Sequence, residues 1–324
     1  MIIIRTPLRI SLGGGGTDLP SYYKKFEGHV VSAAIDKYIY ININNTFQKK
    51  IILRYLENEK VNSIKKIKHK LFREALKNYN IDSNVEITST ADLPGRSGLG
   101  SSGSFLVGLL HSLRIYSNLD VDFYNLAEEA CKIEIDKLNL PVGKQDQFIA
   151  SFGGIRSFLF EKNDNIKIKK IKIATSIFER LNEKSLLFFI GDLRESKSIL
   201  KDQVNKTNKS NLKIIENLHL IKEIGYKIKY ALETGDLDLY SDLMLEHWLL
   251  KKERSNKIST NKIDELIKIG LANGAKSAKL IGAGGGGFIL FFCNDVLKLR
   301  KKMIKLNINE VIFSFIKNGT QRIY

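Results

Sequence analysis

Glycine is spread unevenly along this chain, and its placement constrains the backbone more than any other feature. Of 24 glycines in 324 residues, nine fall in two short stretches, four at Gly13 to Gly16 and five between Gly282 and Gly287. A third cluster, Pro94-Gly-Arg-Ser-Gly-Leu-Gly-Ser-Ser-Gly-Ser104, separates a strand-like run from an apolar helical one. Ordering consecutive glycines costs more backbone entropy than ordering other residues. A folded glycine run therefore needs a compensating contact, such as a ligand or another backbone passing close by. No repeat of 20 to 50 residues accompanies the clusters, which excludes solenoids and propellers.

Around them the pattern is mixed. Strand-like runs cover 2–4 and 8–12 on either side of an Arg-Thr-Pro turn, then 30–35, 38–43, 51–56 and 85–90. Helical spacing of apolar residues marks 66–78, 102–116 and 123–138. The second half opens on an apolar strand at 186–190 and continues with helices at 197–203, 212–233, 237–252 and 263–273 before a buried strand at 288–293. An α+β fold of two halves joined near residue 180 accounts for this order, with residues 1–180 and 181–324 as its domains.

Lys and Arg total 52 against 35 Asp and Glu, a formal charge of +17. Such a surplus suits nucleic acid, a membrane surface or anionic small molecules. The lysines are dispersed and form no basic arm interleaved with aromatics, so nucleic acid and membrane are not expected partners. A general preference for Lys, Ile and Asn explains part of the surplus, and an anionic small molecule suits the rest. Cys131 and Cys293 form no CxxC motif and have no histidine at ligand spacing, which argues against a disulfide framework or zinc site. Met1-Ile-Ile-Ile-Arg5 is too short for the apolar core of a signal peptide, and the longest apolar runs are strand-sized. A cytoplasmic protein is expected.

Each glycine cluster has its own chemistry. Gly95 and Gly100 stand five apart as in a P-loop, but Ser101 occupies the lysine position, so the P-loop motif is absent. The physics is shared all the same, since a helix opening near Ser102 would aim unpaired N–H groups at an anion. The alternative is a tight turn capped by Ser101 or Ser102. Gly282, Gly284 and Gly287 spell GxGxxG but precede a strand-like run, whereas a dinucleotide fingerprint must open a helix. What remains there is a loop between strands. Gly13 to Gly16 lead into Thr17-Asp18, either a backbone approach to a ligand with Asp18 aimed at its hydroxyls or a surface loop. Glu134 and Asp146 form a candidate carboxylate pair for base and metal-ligand roles.

Taken in order, three segments resemble the motifs of the GHMP family of small-molecule kinases, which includes galactokinase, homoserine, mevalonate and phosphomevalonate kinases. They are Pro7-Leu-Arg-Ile-Ser-Leu12 with the glycines after it, Pro94-x-x-x-Gly-Leu-Gly-Ser-Ser102, and Lys279-Leu-Ile-Gly-Ala-Gly-Gly-Gly-Gly287. The resemblance implies a ribosomal-protein-like N-terminal domain and a ferredoxin-like C-terminal domain. It also implies ATP and Mg²⁺ as cofactors and a small-molecule sugar phosphate as partner, and it is compatible with a homodimer. ATP would lie on Pro94, Gly95, Arg96, Gly98, Leu99, Gly100, Ser101, Ser102 and Gly103, with the metal on Ser102 and Glu134. Asp146 would be the catalytic aspartate and Arg9 its cationic partner. The substrate would meet Gly14, Gly15, Gly16, Thr17, Asp18, Lys144, Gly284 and Gly285, with Arg194 (Lys197 nearby) or else Arg96 or Lys144 clamping its phosphate.

Within the family the chain is similar to the heptose 7-phosphate kinase branch. The shared stretches are Gly14-Gly-Gly-Thr-Asp-Leu-Pro20 with Tyr22-Tyr23, Gly143-Lys-Gln-Asp-Gln147, Gly191-Asp-Leu-Arg-Glu-Ser196 and His247-Trp-Leu-Leu-Lys-Lys252. That branch phosphorylates the anomeric C1 hydroxyl of D-glycero-D-manno-heptose 7-phosphate, which feeds nucleotide-activated heptose for surface polysaccharide. A fucose-type sugar or another sugar phosphate is the alternative. Galactokinase has Gly-Glu-His where this chain has Gly14-Gly15-Gly16, and mevalonate kinase has Lys where this chain has Arg9, so both substrates are disfavoured.

Overall fold

The computed structural model describes residues 1–95, 97–191, 196–209 and 211–324. The first half contains β1 (Ile2–Gly13), α1 (Pro20–Phe26), β2 (Gly28–Asn45), β3 (Ile51–Arg54), β4 (Asn58–Val61), α2 (Lys70–Asn78) and β5 (Val85–Ala91). It continues through α3 (Ser101–Tyr116), α4 (Phe123–Cys131), α5 (Gln145–Phe152), β6 (Ile155–Phe160) and β7 (Ile166–Lys170). Next come α6 (Thr175–Lys184), β8 (Ser185–Gly191), α7 (Ser196–Asn208), α8 (Leu212–Thr234), α9 (Leu237–Glu253) and α10 (Asn261–Ala272). The chain closes with β9 (Ala275–Leu280), β10 (Gly287–Cys293), α11 (Val296–Lys305), β11 (Asn309–Val311) and β12 (Gln321–Arg322).

The long strand β2 organises the first sheet. β1 pairs antiparallel along one side of it, from Ile2 opposite Ile43 to Gly13 opposite Val31. Its other side is shared, with Gly28–Ala33 on β6 and Ile39–Asn45 on β5. The sequence suggests two strand pieces around Pro7, whereas β1 runs straight through it, with a register shift between Pro7 and Leu8. Such an irregularity accommodates a residue that cannot donate to the ladder. The runs at 30–35 and 38–43 are likewise one strand. Residues 30–35 of β2 are buried on both faces, while the later half alternates, with Ile39, Ile41 and Ile43 inward. These three share a core with Leu106, Leu109, Leu110 and Leu113 of α3, a helix apolar on most of its circumference because it lies inside the domain.

The second sheet has the order β11-β8-β10-β9. Its central strand β10 is buried throughout and packs in a second core with Trp248, Ile267 and Leu280. The α+β class and two-domain plan expected from the sequence both hold. The boundary differs in one respect. Residues assigned to the second half return to the first sheet at the end of the chain, where β12 pairs with β1 and Thr320 N donates to Ala150 O. No helix among the described residues is long and apolar enough to cross a membrane.

Candidate active site

A cavity of about 260 Å³ opens where β1, the N-termini of α3 and α5, and the C-terminal part of α9 converge. β1 brings Arg9 to its floor, only 6% exposed. Arg9 Nε donates to Asp146 Oδ1 at 2.7 Å and Nη2 to Oδ2 at 2.9 Å, a two-pronged ion pair. Its Nη1 donates to Gly98 O at 2.6 Å, and its backbone N to Leu99 O at 3.0 Å. One arginine thus ties the catalytic candidate on α5 to the glycine loop before α3. Arginine suits the task because its planar fork reaches three acceptors at once.

The helix after that loop starts at Ser101 and has Gly100 as N-cap, at φ 76°, with no side chain capping it. Ser102 does not cap the helix, as one sequence reading allowed. Its Oγ donates to Glu134 Oε1 at 2.5 Å, and Gln147 Nε2 donates to the other carboxylate oxygen. Glu134 reaches this position because the helix expected over 123–138 ends as α4 at Cys131 and widens into a π turn at Lys132–Lys137. Such turns are frequent at functional sites. Burial pushes the Glu134 carboxyl above its ordinary range, against the hydrogen bonds from Ser102 and Gln147. No cation among the described residues forms an ion pair with it.

The glycines of the Gly282 to Gly287 stretch mainly serve packing. A Cβ on Gly282, at φ 81°, would lie 2.4 Å from Gly98 Cα, and one on Gly287 would lie 2.3 Å from Ser97 O. The loop between β9 and β10 therefore rests backbone to backbone on the loop before α3. Gly282→Ala must force the two apart, and we expect a stability loss of about 1–3 kcal/mol, read as a lowered urea midpoint at constant m. A midpoint within error of wild type would refute this packing.

Asp18 also lines the cavity and is 2% exposed. Its Oδ1 accepts from Gly16 N at 3.0 Å and its Oδ2 from Gln145 N at 3.2 Å. Burial, reinforced by the Asp146 charge, raises its carboxyl pKa. Beside it lies a group of buried bases. Arg254 Nη1 donates to Gly15 O at 3.3 Å and to Gln203 Oε1 at 3.2 Å, while Gln203 Nε2 donates to Gly16 O at 3.1 Å. Lys279 Nζ donates to Leu12 O at 3.0 Å, and Lys251 Nζ to Leu280 O at 2.8 Å and Gly282 O at 2.5 Å. Burial lowers all three, Lys279 to about 7 and Arg254 to about 10.

The cavity gathers Arg9, Gly15, Gly16, Asp18, Gly98, Gly100, Ser101, Ser102, Glu134 and Asp146 from the residues singled out in the sequence. Others stand apart from it. Gly14 and Thr17 support the loop from behind, with the Thr17 hydroxyl 2.8 Å from Gly14 O and 3.0 Å from His29 O, between which it shares its one proton. Leu99 is in the core, and Gly103 packs on Asp146, where a Cβ would come within 2.8 Å of Asp146 Cβ. Pro94 and Gly95 lie on the surface side of the loop, away from the cavity lining. Lys144 is committed elsewhere, with Nζ 3.2 Å from Asp164 Oδ1 and over the Tyr23 ring. Gly284 and Gly285, expected to meet substrate, are turned toward Ile258, whose O accepts from Gly285 N at 2.9 Å. Arg96, Arg194 and the Lys197 side chain lie outside the described residues.

Gln203, His247, Lys251, Arg254 and Lys279 line the cavity without having been assigned a role from the sequence. One signal was present. His247, Lys251 and Arg254 follow one another at spacings of four and three, which places them on one face of a helix.

Comparison with known proteins bears on this site. The chain matches the GHMP kinase N-terminal domain over residues 62–154 and the GHMP kinase C-terminal domain over residues 228–306. A Campylobacter jejuni protein named D-glycero-alpha-D-manno-heptose 7-phosphate kinase is 30% identical, covering 98% of this chain and 97% of its own length. A Methanocaldococcus jannaschii mevalonate kinase is 31% identical over 94% of this chain and 95% of its own length. Among solved structures, a D-glycero-D-manno-heptose 1-phosphate kinase from Bacteroides thetaiotaomicron superposes with a TM-score of 0.82 at 24% identity, covering 100% of this chain and 99% of the other. With its paired domains, its full-length relatives and its glycine-lined cleft, the chain belongs to the GHMP kinase family.

Proposed function

We propose that the protein transfers the γ-phosphoryl group of ATP to the C1 hydroxyl of D-glycero-D-manno-heptose 7-phosphate, giving the 1,7-bisphosphate and ADP. The observation that carries this reading is the meeting of the Arg9–Asp146 pair with the uncapped N-terminus of α3. A Cβ on Gly100 would lie 2.9 Å from Arg9 Cγ and 3.3 Å from Asp146 Cγ. Free N–H groups and the positive end of the helix dipole suit nucleotide phosphates there. The similarity to a heptose 7-phosphate kinase over nearly the whole chain supports the acceptor.

Ser102 and Glu134 fit a hard divalent cation, since both donors are oxygens and the buried carboxylate has no counter-charge of its own among the described residues. Mg²⁺ held there would neutralise charge on the nucleotide phosphates. The chain's own groups orient the acceptor. Each Asp146 oxygen keeps a lone pair beyond the one given to Arg9, so the carboxylate can accept the acceptor hydroxyl proton. As the C1 oxygen bonds to the γ-phosphorus, the bond from that phosphorus to the bridging oxygen breaks and ADP leaves with the electron pair. Arg9 offsets the negative charge gathered at this point.

The test is ADP release across hexoses, heptoses, their terminal phosphates and mevalonate, with ³¹P NMR of the product. Turnover of the heptose 7-phosphate with a new anomeric phosphate is expected. Preferred turnover of mevalonate, or phosphate added at another carbon, would overturn the reading. Gly143→Ala probes the acceptor wall, because the added methyl would lie 1.9 Å from Asp18 Oδ2 and must displace it. Losing the alignment of a charge-assisted donor or acceptor costs about 1.5–3 kcal/mol, so an acceptor KM raised roughly 10- to 100-fold is expected, with ATP KM nearly unchanged. Equal rises in both KM values would contradict the placement of Asp18.

A further inference from the structure

We propose that Arg254, Lys279 and His247 form the pocket for the phosphate that the acceptor itself carries, an inference that rests on the sugar-phosphate reading above. The three converge from α9 and the end of β9 on the cavity that holds Asp146. Their own partners are incomplete. Lys279 hydrogen-bonds only a carbonyl oxygen, and Arg254 a carbonyl and an amide oxygen with the Asp18 charge nearby but not hydrogen-bonded to it, where buried cations ordinarily need a bonded carboxylate or phosphate. His247 is 2% exposed, and among the described residues both its ring nitrogens lack a hydrogen-bond partner, as does Arg254 Nε. Lys251, held by Leu280 O and Gly282 O, adds a further amine alongside.

This assembly has unused donors and surplus charge that a phosphate monoester dianion would satisfy. Burial drives His247 down, and the nearby Lys279, Arg254 and Lys251 charges push it the same way, a cost of gathering these bases without an acid among them. An anion relieves each of these costs together.

Two phosphate sources meet at this cleft, and the geometry favours the acceptor. Arg254 and its partner Gln203 bind the carbonyls of Gly15 and Gly16, the loop that carries Asp18. Lys279 binds Leu12 O at the start of that loop. Among the described residues neither Arg254 nor Lys279 hydrogen-bonds to Gly98, Gly100, Ser102 or Glu134 on the proposed nucleotide side of the cavity, and only Lys251 reaches toward it, through Gly282 O.

Isothermal titration with D-glycero-D-manno-heptose 7-phosphate, the unphosphorylated heptose and ADP tests this. Charge-assisted contacts to a dianion predict that wild type binds the phosphorylated sugar about 100-fold tighter than the free sugar. Arg254→Met and Lys279→Met should each cut that ratio to below about 10, while ADP affinity shifts less than about threefold. Competition on the wild-type protein gives a second measurement that needs no variant to fold. Inorganic phosphate should displace the phosphorylated sugar and leave ADP bound. A preserved ratio in both variants, or phosphate displacing ADP instead, overturns the pocket and leaves the kinase reading intact. If ADP binds and neither sugar does, the acceptor assignment fails and takes the pocket with it.

Discussion

Asp146→Asn is expected to lower kcat by roughly 10³-fold while acceptor KM moves less than about threefold, because positioned proton acceptance is worth about 10²–10⁴. The asparagine has nearly the same shape, so the cavity keeps its outline. Its amide can accept from only one arm of Arg9, and its NH₂ group meets the other arm donor to donor. The variant thus loses the proton acceptor and the two-pronged hold in a single step. Steady-state kinetics with a melting curve would check it. A folded variant with kcat within about threefold of wild type would remove Asp146 from proton acceptance and leave positioning by the helix N-terminus as the main contribution.

How far this site was legible in the sequence depends on the residue. Arg9, Asp18, Ser102 and Asp146 follow from motifs whose order along the chain matches a known family, and the structure brings them to one cavity. The glycine clusters were harder to interpret, because a close approach looks the same in sequence whether the neighbour is a ligand or a backbone. Gly15 and Gly16 face the cavity, whereas Gly284 and Gly287 face Ile258 and Ser97 O. Glu134 was nameable, but the π turn that turns it inward leaves no mark in apolar spacing, since one widened turn shifts the pattern by a single residue.

The buried bases were missed for a different reason. In a chain of net charge +17, a lysine reads as surface by default, and lysines are almost never fully buried without a partner. Lys251 and Lys279 are both buried, at 5% and 1% exposure. The helical spacing of His247, Lys251 and Arg254 was available, yet it places residues on one face without telling which way that face points. The fold shows the same limit. The runs of β1, β2, β3, β5, β8 and β10 were visible, those of β6 and β7 were not, and the pairing of β12 with β1 joins residues more than 300 positions apart, with nothing local in Gln321–Arg322 to specify it.

Arg9 provides the second large effect, and two substitutions separate its charge from its geometry. Arg9→Met removes the counter-charge from Asp146, whose side chain is 27% exposed, and frees Gly98 O in the loop before α3. Both the proposed proton acceptor and the loop before α3 lose their anchor, and a kcat loss of roughly 10²–10³ is expected, since an electrostatic group at a transferring centre is worth about that much. Arg9→Lys keeps the charge but not the planar fork. An ammonium can approach Asp146 yet cannot hold both of its oxygens and Gly98 O in one plane, so a loss of about 10- to 100-fold is expected. The order wild type, lysine, methionine should appear in kcat with ATP and acceptor saturating. If the lysine variant matched wild type, charge alone would explain Arg9. If it matched methionine, the bridge from Asp146 to the glycine loop would be the whole of its role.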